Sequence, residues 1–258
     1  MRKNFAHNYV ANGNPVVIIP ARLNSTRLPN KPLADICGLP MIVQVLNQAK
    51  AANCGPVIVA CADKEIFSTV ESAGGKAVMT SSNHQSGSDR IFEALEIIDP
   101  NCSHKIVINI QGDLPTLSPE LPQIALDLLL DPDVDIGTLA SPIISSTERK
   151  DPNVVKAIVS KKFNEHKGRA LYFTRTDAPY GKGKSWHHIG LYTYRREVLK
   201  RFVSLPQSEL EKREKLEQLR ALEDGMRIDI GFVDTFPIGV DTPDDLKRAR
   251  AEIAGQNQ

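Results

Sequence analysis

Residues 16–33 read VVIIPARLNSTRLPNKPL, and the fold is decided there. Four consecutive branched apolar residues, 16–19, are the pattern of a strand buried on both faces. Pro20 and Ala21 end it, at the point where a Rossmann-type sheet presents its carboxyl edge to phosphates. The loop beyond carries Arg22, Arg27 and Lys31. No G-x-G-x-x-G follows the strand and no G-x-x-x-x-G-K-[ST] occurs, which disfavours a dinucleotide dehydrogenase and a P-loop NTPase. The three cations can neutralise a triphosphate or its pyrophosphate leaving group. Taken alone, they can equally be solvated loop charges.

Outward from this strand, β-branched runs alternate with helical stretches. Strands are expected at VIVACA (57–62), near 76–80 and at KIVINI (105–110), with helices near 40–52, 64–73 and 88–98. In SPELPQIALDLLL, Ser118 is expected to cap a helix with Pro119 in its first turn. From about residue 134 strands dominate: DIGTLASPII, VVKAIVS, ALYFT and HIGLYTY. A helix near 208–224, a strand near 228–234 and a closing helix near 243–254 complete the pattern. We read an α/β, Rossmann-like fold with a mixed, mostly parallel central sheet and an inserted smaller antiparallel region near 150–205. Residues 1–15 read as a flexible leader without an h-region, and 16–258 as a single domain. YGKGKSW (180–186) reads as a mobile surface loop.

The 32 basic and 31 acidic residues nearly cancel, so no global field points to nucleic acid or a membrane surface. No apolar run approaches the roughly 18 residues that span a bilayer. Cys37, Cys54, Cys61 and Cys102 form no C-x-x-C pair and read as buried free thiols of a reducing, cytoplasmic protein.

Two further constellations carry chemistry. In VINIQGDLP (107–115) a buried strand ends in Gln111, Gly112 and Asp113. Gly112 permits close backbone approach to a ligand, and Asp113 is either a Mg²⁺ ligand or an ordinary turn residue. In GVDTPDDLKRA (239–249), Thr242, Pro243 and Asp245 start a helix without needing Asp241. Asp241 is then a candidate second metal ligand, or a solvated acid.

The motifs IPARLNSTRLPNKPLADICGLPMI, HQSGSDR, VINIQGDLP, LYFTRTDAPY, HIGLYTYR, KLEQLRALEDG and GVDTPDDLKRAR occur in this order. Over residues 16–250 the chain resembles the 3-deoxy-manno-octulosonate cytidylyltransferases, the CMP-KDO synthetases of lipopolysaccharide biosynthesis. The resemblance implies a nucleotidyltransferase fold and Mg²⁺-dependent transfer of CMP from CTP to the anomeric hydroxyl of KDO, an acidic 2-keto sugar. It implies a homodimer. It sets Pro20, Ala21, Arg22, Lys31, Gln111, Gly112 and Asp113 around the nucleotide, and Asp113 with Asp241 on the metal. Arg22, Arg27, Lys31, Asp113 and Asp241 carry catalysis in this reading. Arg27, Gln111, Arg175, His188, Tyr192, Glu217 and Gln218 hold the sugar.

The residue pattern is compatible with these roles. His188, Gly190, Tyr192 and Tyr194 share one strand face, expected to border a polar space, while Ile189 and Leu191 turn to the core. His188 can also be a partly exposed strand histidine. Glu217 and Gln218 fall in the helix that the S-x-x-E box at 208–211 would start, with Leu216, Leu219 and Leu222 facing inward and Gly225 ending it. Glu217 can there simply pair with Arg213 or Arg220. Leu114, Ser88, Asp89 and the short segment between Tyr180 and His188 depart from the family pattern. Two alternatives remain: a cytidylyltransferase for another substrate (8-amino-KDO, a sialic acid or methylerythritol phosphate), and a non-catalytic nucleotide-sensing module. A sensor has no need of two carboxylates aimed at one metal.

Overall fold

The computed structural model describes residues 13–24, 27–160 and 166–256. The expected leader lies outside them as far as residue 12. The opening apolar run is β1 (Val16–Ala21), whose first four side chains are fully buried. A 3-10 turn, Lys31–Leu33, leads to a hairpin of β2 (Asp35–Ile36) and β3 (Leu39–Pro40). Its turn residues, Cys37 (φ 54°) and Gly38 (φ 87°), are both left-handed, as a two-residue hairpin of this hand requires. Then come α1 (Met41–Ala51), β4 (Val57–Cys61), α2 (Lys64–Ser72), β5 (Ala77–Met79), α3 (Gly87–Ile98) and β6 (Ile106–Asn109).

These elements, with α9 below, form one of two compact units, residues 13–123 and 237–256 as described. β1 pairs in parallel with β4 and β6, and β4 with β5, so all four strands end at one edge. Ile36 and Met41 pack with Val240, Leu246, Ala249 and Ile253 in a buried cluster. Each such large side chain contributes about 1.5–3 kcal/mol by leaving water.

The second unit runs over 124–236, wider than the 150–205 expected for the inserted region. α4 (Leu121–Asp127) leads into β7 (Ile136–Ile143), α5 (Ser146–Lys150), β8 (Lys156–Ser160), β9 (Lys167–Thr174) and β10 (Ser185–Arg195). α6 (Arg196–Ser204), α7 (Glu209–Glu214), α8 (Gln218–Glu223) and β11 (Ile228–Phe232) follow, and the chain returns to the first unit as α9 (Pro243–Gln256). Here β7 pairs with β11 in parallel, whereas β7–β10, β9–β11 and β8–β9 are antiparallel. The expected parallel order therefore describes the first unit, and the second is mixed.

Four local expectations change. α4 starts at Leu121, not at Ser118: Ser118 accepts the Leu121 N–H in a turn, and Pro122 takes the second helical position, where no donor is needed. The helix expected over 208–224 is two. Its capping box forms at Ser208 and Glu211, but Lys215 turns left-handed (φ 56°) and the Leu216 N–H returns to Glu211's carbonyl. Only Cys54 and Cys61 are buried thiols; Cys37 is exposed at its hairpin turn and Cys102 half-buried. The 180–186 loop ends early, since Ser185 and Trp186 are buried in β10, and Arg149 donates to the carbonyls of Pro179 and Gly181.

The two short helices are held by one ion pair. Arg220 Nε and Nη2 donate to both Glu211 oxygens at 2.8 and 2.7 Å, with both side chains 7% exposed. Arg220 also covers the Phe202 ring at 5.2 Å. Removing one partner strands a buried charge, so Glu211→Ala should lose about 3–5 kcal/mol. Urea unfolding measures it; a loss below about 1 kcal/mol would mean the pair is solvated.

Candidate active site

At the carboxyl edge of the parallel sheet lies a cavity of about 460 Å³, within the usual ligand range of roughly 300–1,000 Å³. Pro20, Ala21, Arg22, Arg27 and Lys31 line it from the end of β1 and its loop. Gln111, Gly112 and Asp113 enter from the end of β6, and Asp241 from the start of α9. All the residues expected around a nucleotide thus share one space.

Its centre is a cation between two carboxylates. Lys31 Nζ donates to Asp113 Oδ2 at 2.8 Å and to Asp241 Oδ1 at 3.0 Å. Arg27 reaches Asp241 Oδ2 at 3.1 Å, although both side chains are more than half exposed. Burial works against the Lys31 charge, but Asp113 and Asp241 outweigh it and raise the ammonium's pKa. Burial likewise pushes the Asp241 carboxyl up, and Lys31 with Arg27 overcome this to hold it below the usual carboxylate range.

Backbone geometry sets these positions. Asn30 is left-handed (φ 54°) and feeds Lys31 into the 3-10 turn. The Val240 N–H donates to the Asp113 carbonyl at 2.9 Å and the Ile238 N–H to Thr116 Oγ1 at 2.8 Å, which ties the Asp241 segment to the β6 loop. Asp245 accepts from Thr242 N–H and Oγ1, so the α9 start forms as the sequence implies and leaves Asp241's carboxylate to the cations. A Cβ on Gly112 would sit 2.7 Å from the Pro20 carbonyl oxygen. The close approach this glycine permits is therefore between the loop after β6 and the last residues of β1, within the chain itself.

A third wall carries residues with no role in the expected nucleotide site. His84, Ser86, Gly87 and Arg90 line the cavity from the β5–α3 corner. Ser86 caps α3 by accepting Asp89 N–H at 3.1 Å. Arg90, 2% exposed, donates to Thr80 Oγ1 at 2.7 Å and Ser81 O at 3.1 Å. His84 bonds Glu93, which also accepts the Ser81 N–H at 2.9 Å. Their signal was HQSGSDR, a polar motif directly after a strand of the same parallel sheet.

The acid-sugar candidates lie in the 124–236 unit. His188 and Tyr192 share a face of β10, their rings 5.5 Å apart, across a bulge between Ile189 and Tyr192. His188 is not a partly exposed histidine: it is buried edge-on to Phe173 at 4.8 Å, with Nε2 2.9 Å from Thr138 Oγ1. Burial first, then His187, lowers its pKa to about 3. The pKa of the Tyr192 hydroxyl is pushed upward by burial and then by the Glu217 carboxylate. Gln218 is buried at the start of α8. Arg175 follows β9, and its guanidinium donates to three carbonyls: Glu214 at 2.8 Å, Pro152 at 3.0 Å and Lys215 at 3.4 Å. It thereby grips the hinge that precedes Glu217. Arg220, one partner expected for Glu217, bonds both oxygens of Glu211.

Residues 16–228 match the cytidylyltransferase family model. A 3-deoxy-manno-octulosonate cytidylyltransferase of Parvibaculum lavamentivorans is 58% identical, covering 94% of this chain and 93% of its own. Its counterpart in Methylobacterium radiotolerans is 59% identical, over 94% and 98%. Among solved structures, a CMP:2-keto-3-deoxy-manno-octonic acid synthetase complexed with CTP superposes with a TM-score of 0.86 at 38% identity, covering 94% of this chain and 99% of that one.

The His188 environment has a measurable consequence. Folded, the ring stays neutral down to about pH 3, whereas an unfolded histidine takes its proton near pH 6.5. Between these values the unfolded state binds the extra proton, so stability falls as pH falls. From pH 7.5 to 5.5 the wild type should lose about 1.4 kcal/mol relative to His188→Gln. Urea midpoints at both pH values measure it, and a constant difference between the two proteins contradicts the buried neutral ring.

Proposed function

This chain belongs to the cytidylyltransferase family, in its 3-deoxy-manno-octulosonate branch, and on that premise we propose that it transfers CMP from CTP to KDO with release of pyrophosphate. The observation that carries the reading is the cavity in which Arg22, Arg27 and Lys31 meet Asp113 and Asp241 at the carboxyl edge of a parallel sheet. The anomeric hydroxyl of the sugar attacks the α-phosphorus. A new P–O bond forms as the bond to the β-phosphate oxygen breaks. Such transfers depend mainly on positioning and on stabilising charge spread over phosphoryl oxygens. The exposed Arg22 and Arg27 guanidiniums supply donors matched to phosphate.

The donor set fits a hard divalent cation. Asp113 and Asp241 converge on one cationic point, now taken by Lys31 Nζ. Among the described residues no group of three or more acidic, His or Cys side chains forms a closed metal cage. Two carboxylates plus substrate phosphates is the usual manner of holding Mg²⁺. Bound there, Mg²⁺ would neutralise phosphate charge and polarise the α-phosphate. Lys31 would then leave the carboxylates and turn to the triphosphate. Arg175, His188, Tyr192, Glu217 and Gln218 are proposed to hold the acidic sugar. The same reading takes the protein to be a cytoplasmic homodimer, supported by the family resemblance and, for the compartment, by four free cysteines.

Incubation with CTP, Mg²⁺ and a panel of KDO, 8-amino-KDO and a sialic acid, following pyrophosphate, tests the function. KDO should react fastest, and a clear preference for another sugar overturns the substrate assignment. Asp113→Asn and Asp241→Asn should each lower turnover by at least about 10²–10³-fold. Near-normal turnover of either at saturating Mg²⁺ excludes the two-carboxylate site.

The Lys31 contact makes a separate prediction. Lys31→Met should bind Mn²⁺ more tightly than the wild type when nucleotide is absent, because the carboxylates lose their internal cation. The same variant should bind CTP more weakly. Mn²⁺ titration by electron paramagnetic resonance and CTP calorimetry measure the two effects, and equal Mn²⁺ affinity in both proteins removes the cation-exchange step.

A further inference from the structure

Asp63 stands just after β4, at the N-cap of α2, with extended backbone (φ −116°, ψ 133°). An aspartate there ordinarily turns its carboxylate onto the first N–H groups of its own helix. This one makes no such bond. Its Oδ2 instead accepts the Leu23 N–H at 2.8 Å, across 40 positions of sequence. Leu23 lies between Arg22 and Asn24, and both line the cation-rich cavity. A charged acceptor on a loop N–H is a strong, directional tether.

The surrounding charges point the same way. Arg90 lines the same cavity and is buried, and its guanidinium is disfavoured first by that burial and then by Arg22. Asp63 is the foremost group favouring it. One carboxylate thus fixes the backbone between Arg22 and Asn24 and favours the buried Arg90 guanidinium on another wall of the cavity. A triphosphate would be repelled by a negative charge in this place. A group that only needed to attract nucleotide would not be an aspartate; one that must hold a loop of cations open and ordered would be.

We propose that Asp63 is a positioning residue for the phosphate-binding loop: its hydrogen bond to Leu23 holds Arg22 where the triphosphate is received. This rests on the cytidylyltransferase reading above. The test compares Asp63→Ala with Asp63→Asn, whose side-chain oxygen still accepts from Leu23 but carries no charge. CTP is titrated by calorimetry, KM and kcat are measured for CTP and KDO, and thermal unfolding checks the fold.

Asp63→Ala should weaken CTP binding about 10-fold, the equivalent of one positioned hydrogen bond, with the KM for KDO changed less than about twofold. Asp63→Asn should recover most of the CTP affinity that Asp63→Ala loses, because the bond to Leu23 is kept while only the charge that favours Arg90 is gone. The Asn result carries the test if Asp63→Ala fails to fold. An Asn variant as impaired as Ala, or an Ala variant that binds CTP normally, overturns the proposal. Wild-type protein that binds no CTP overturns the parent reading instead, and the two failures are distinct.

Discussion

The Lys31 ammonium between Asp113 and Asp241 is the constraint on which the cavity depends. Its nitrogen lies within 3.0 Å of both carboxylates, while its side chain is only 15% exposed. Two carboxylates this close repel in a partly desolvated space unless a cation intervenes. The lysine supplies that cation from within the chain. It also ties three distant pieces of chain together: the 3-10 turn after β1, the end of β6 and the start of α9.

Backbone contacts make the arrangement stiff. Gly112 lies against the Pro20 carbonyl, and Val240 and Ile238 donate to the segment that carries Asp113. The backbone that carries the two aspartates is thus pinned, while their carboxylate oxygens are met by the Lys31 and Arg27 side chains. Arg22 and Arg27 are exposed, so their cost of reorganising around phosphate is small. A site with a pinned backbone and side-chain cations is suited to exchanging an internal counter-charge for an external one.

The 124–236 unit relies on buried polar groups that are nearly all satisfied by main chain or by each other. Lys156, fully buried, donates to the carbonyls of Asp151, Val154 and Arg175 at 2.6–3.0 Å. Arg175 passes that order on to the carbonyls of Glu214 and Lys215, at the left-handed break between α7 and α8. Thr138 fills the β10 bulge, donating toward the carbonyls of Ile189 and Leu191 and contacting His188. Such networks contribute little net free energy, but an unpaired member is costly, so they select one register and one hinge geometry.

Periodicity and end signals were sufficient for most elements, because a strand buried on both faces needs an unbroken apolar run and a helix start needs its cap. The residues 16–19 run, the parallel order of β1, β4, β5 and β6, and the Thr242–Asp245 helix start were all legible for that reason. So was the membership of Arg22, Lys31, Gln111 and Asp113 in one edge of one sheet. Other features depend on partners far away in sequence, which no local pattern encodes. The break puts Lys215, a non-glycine residue, in the left-handed region, next to a Glu214 held by Arg175 and Thr174. The burial of His188 requires Phe173 and Thr138 from neighbouring strands, so alternation alone left its surroundings open. Asp63 looks in sequence like an ordinary helix cap, and only the approach of Leu23 from 40 residues away redirects its carboxylate to the loop of cations.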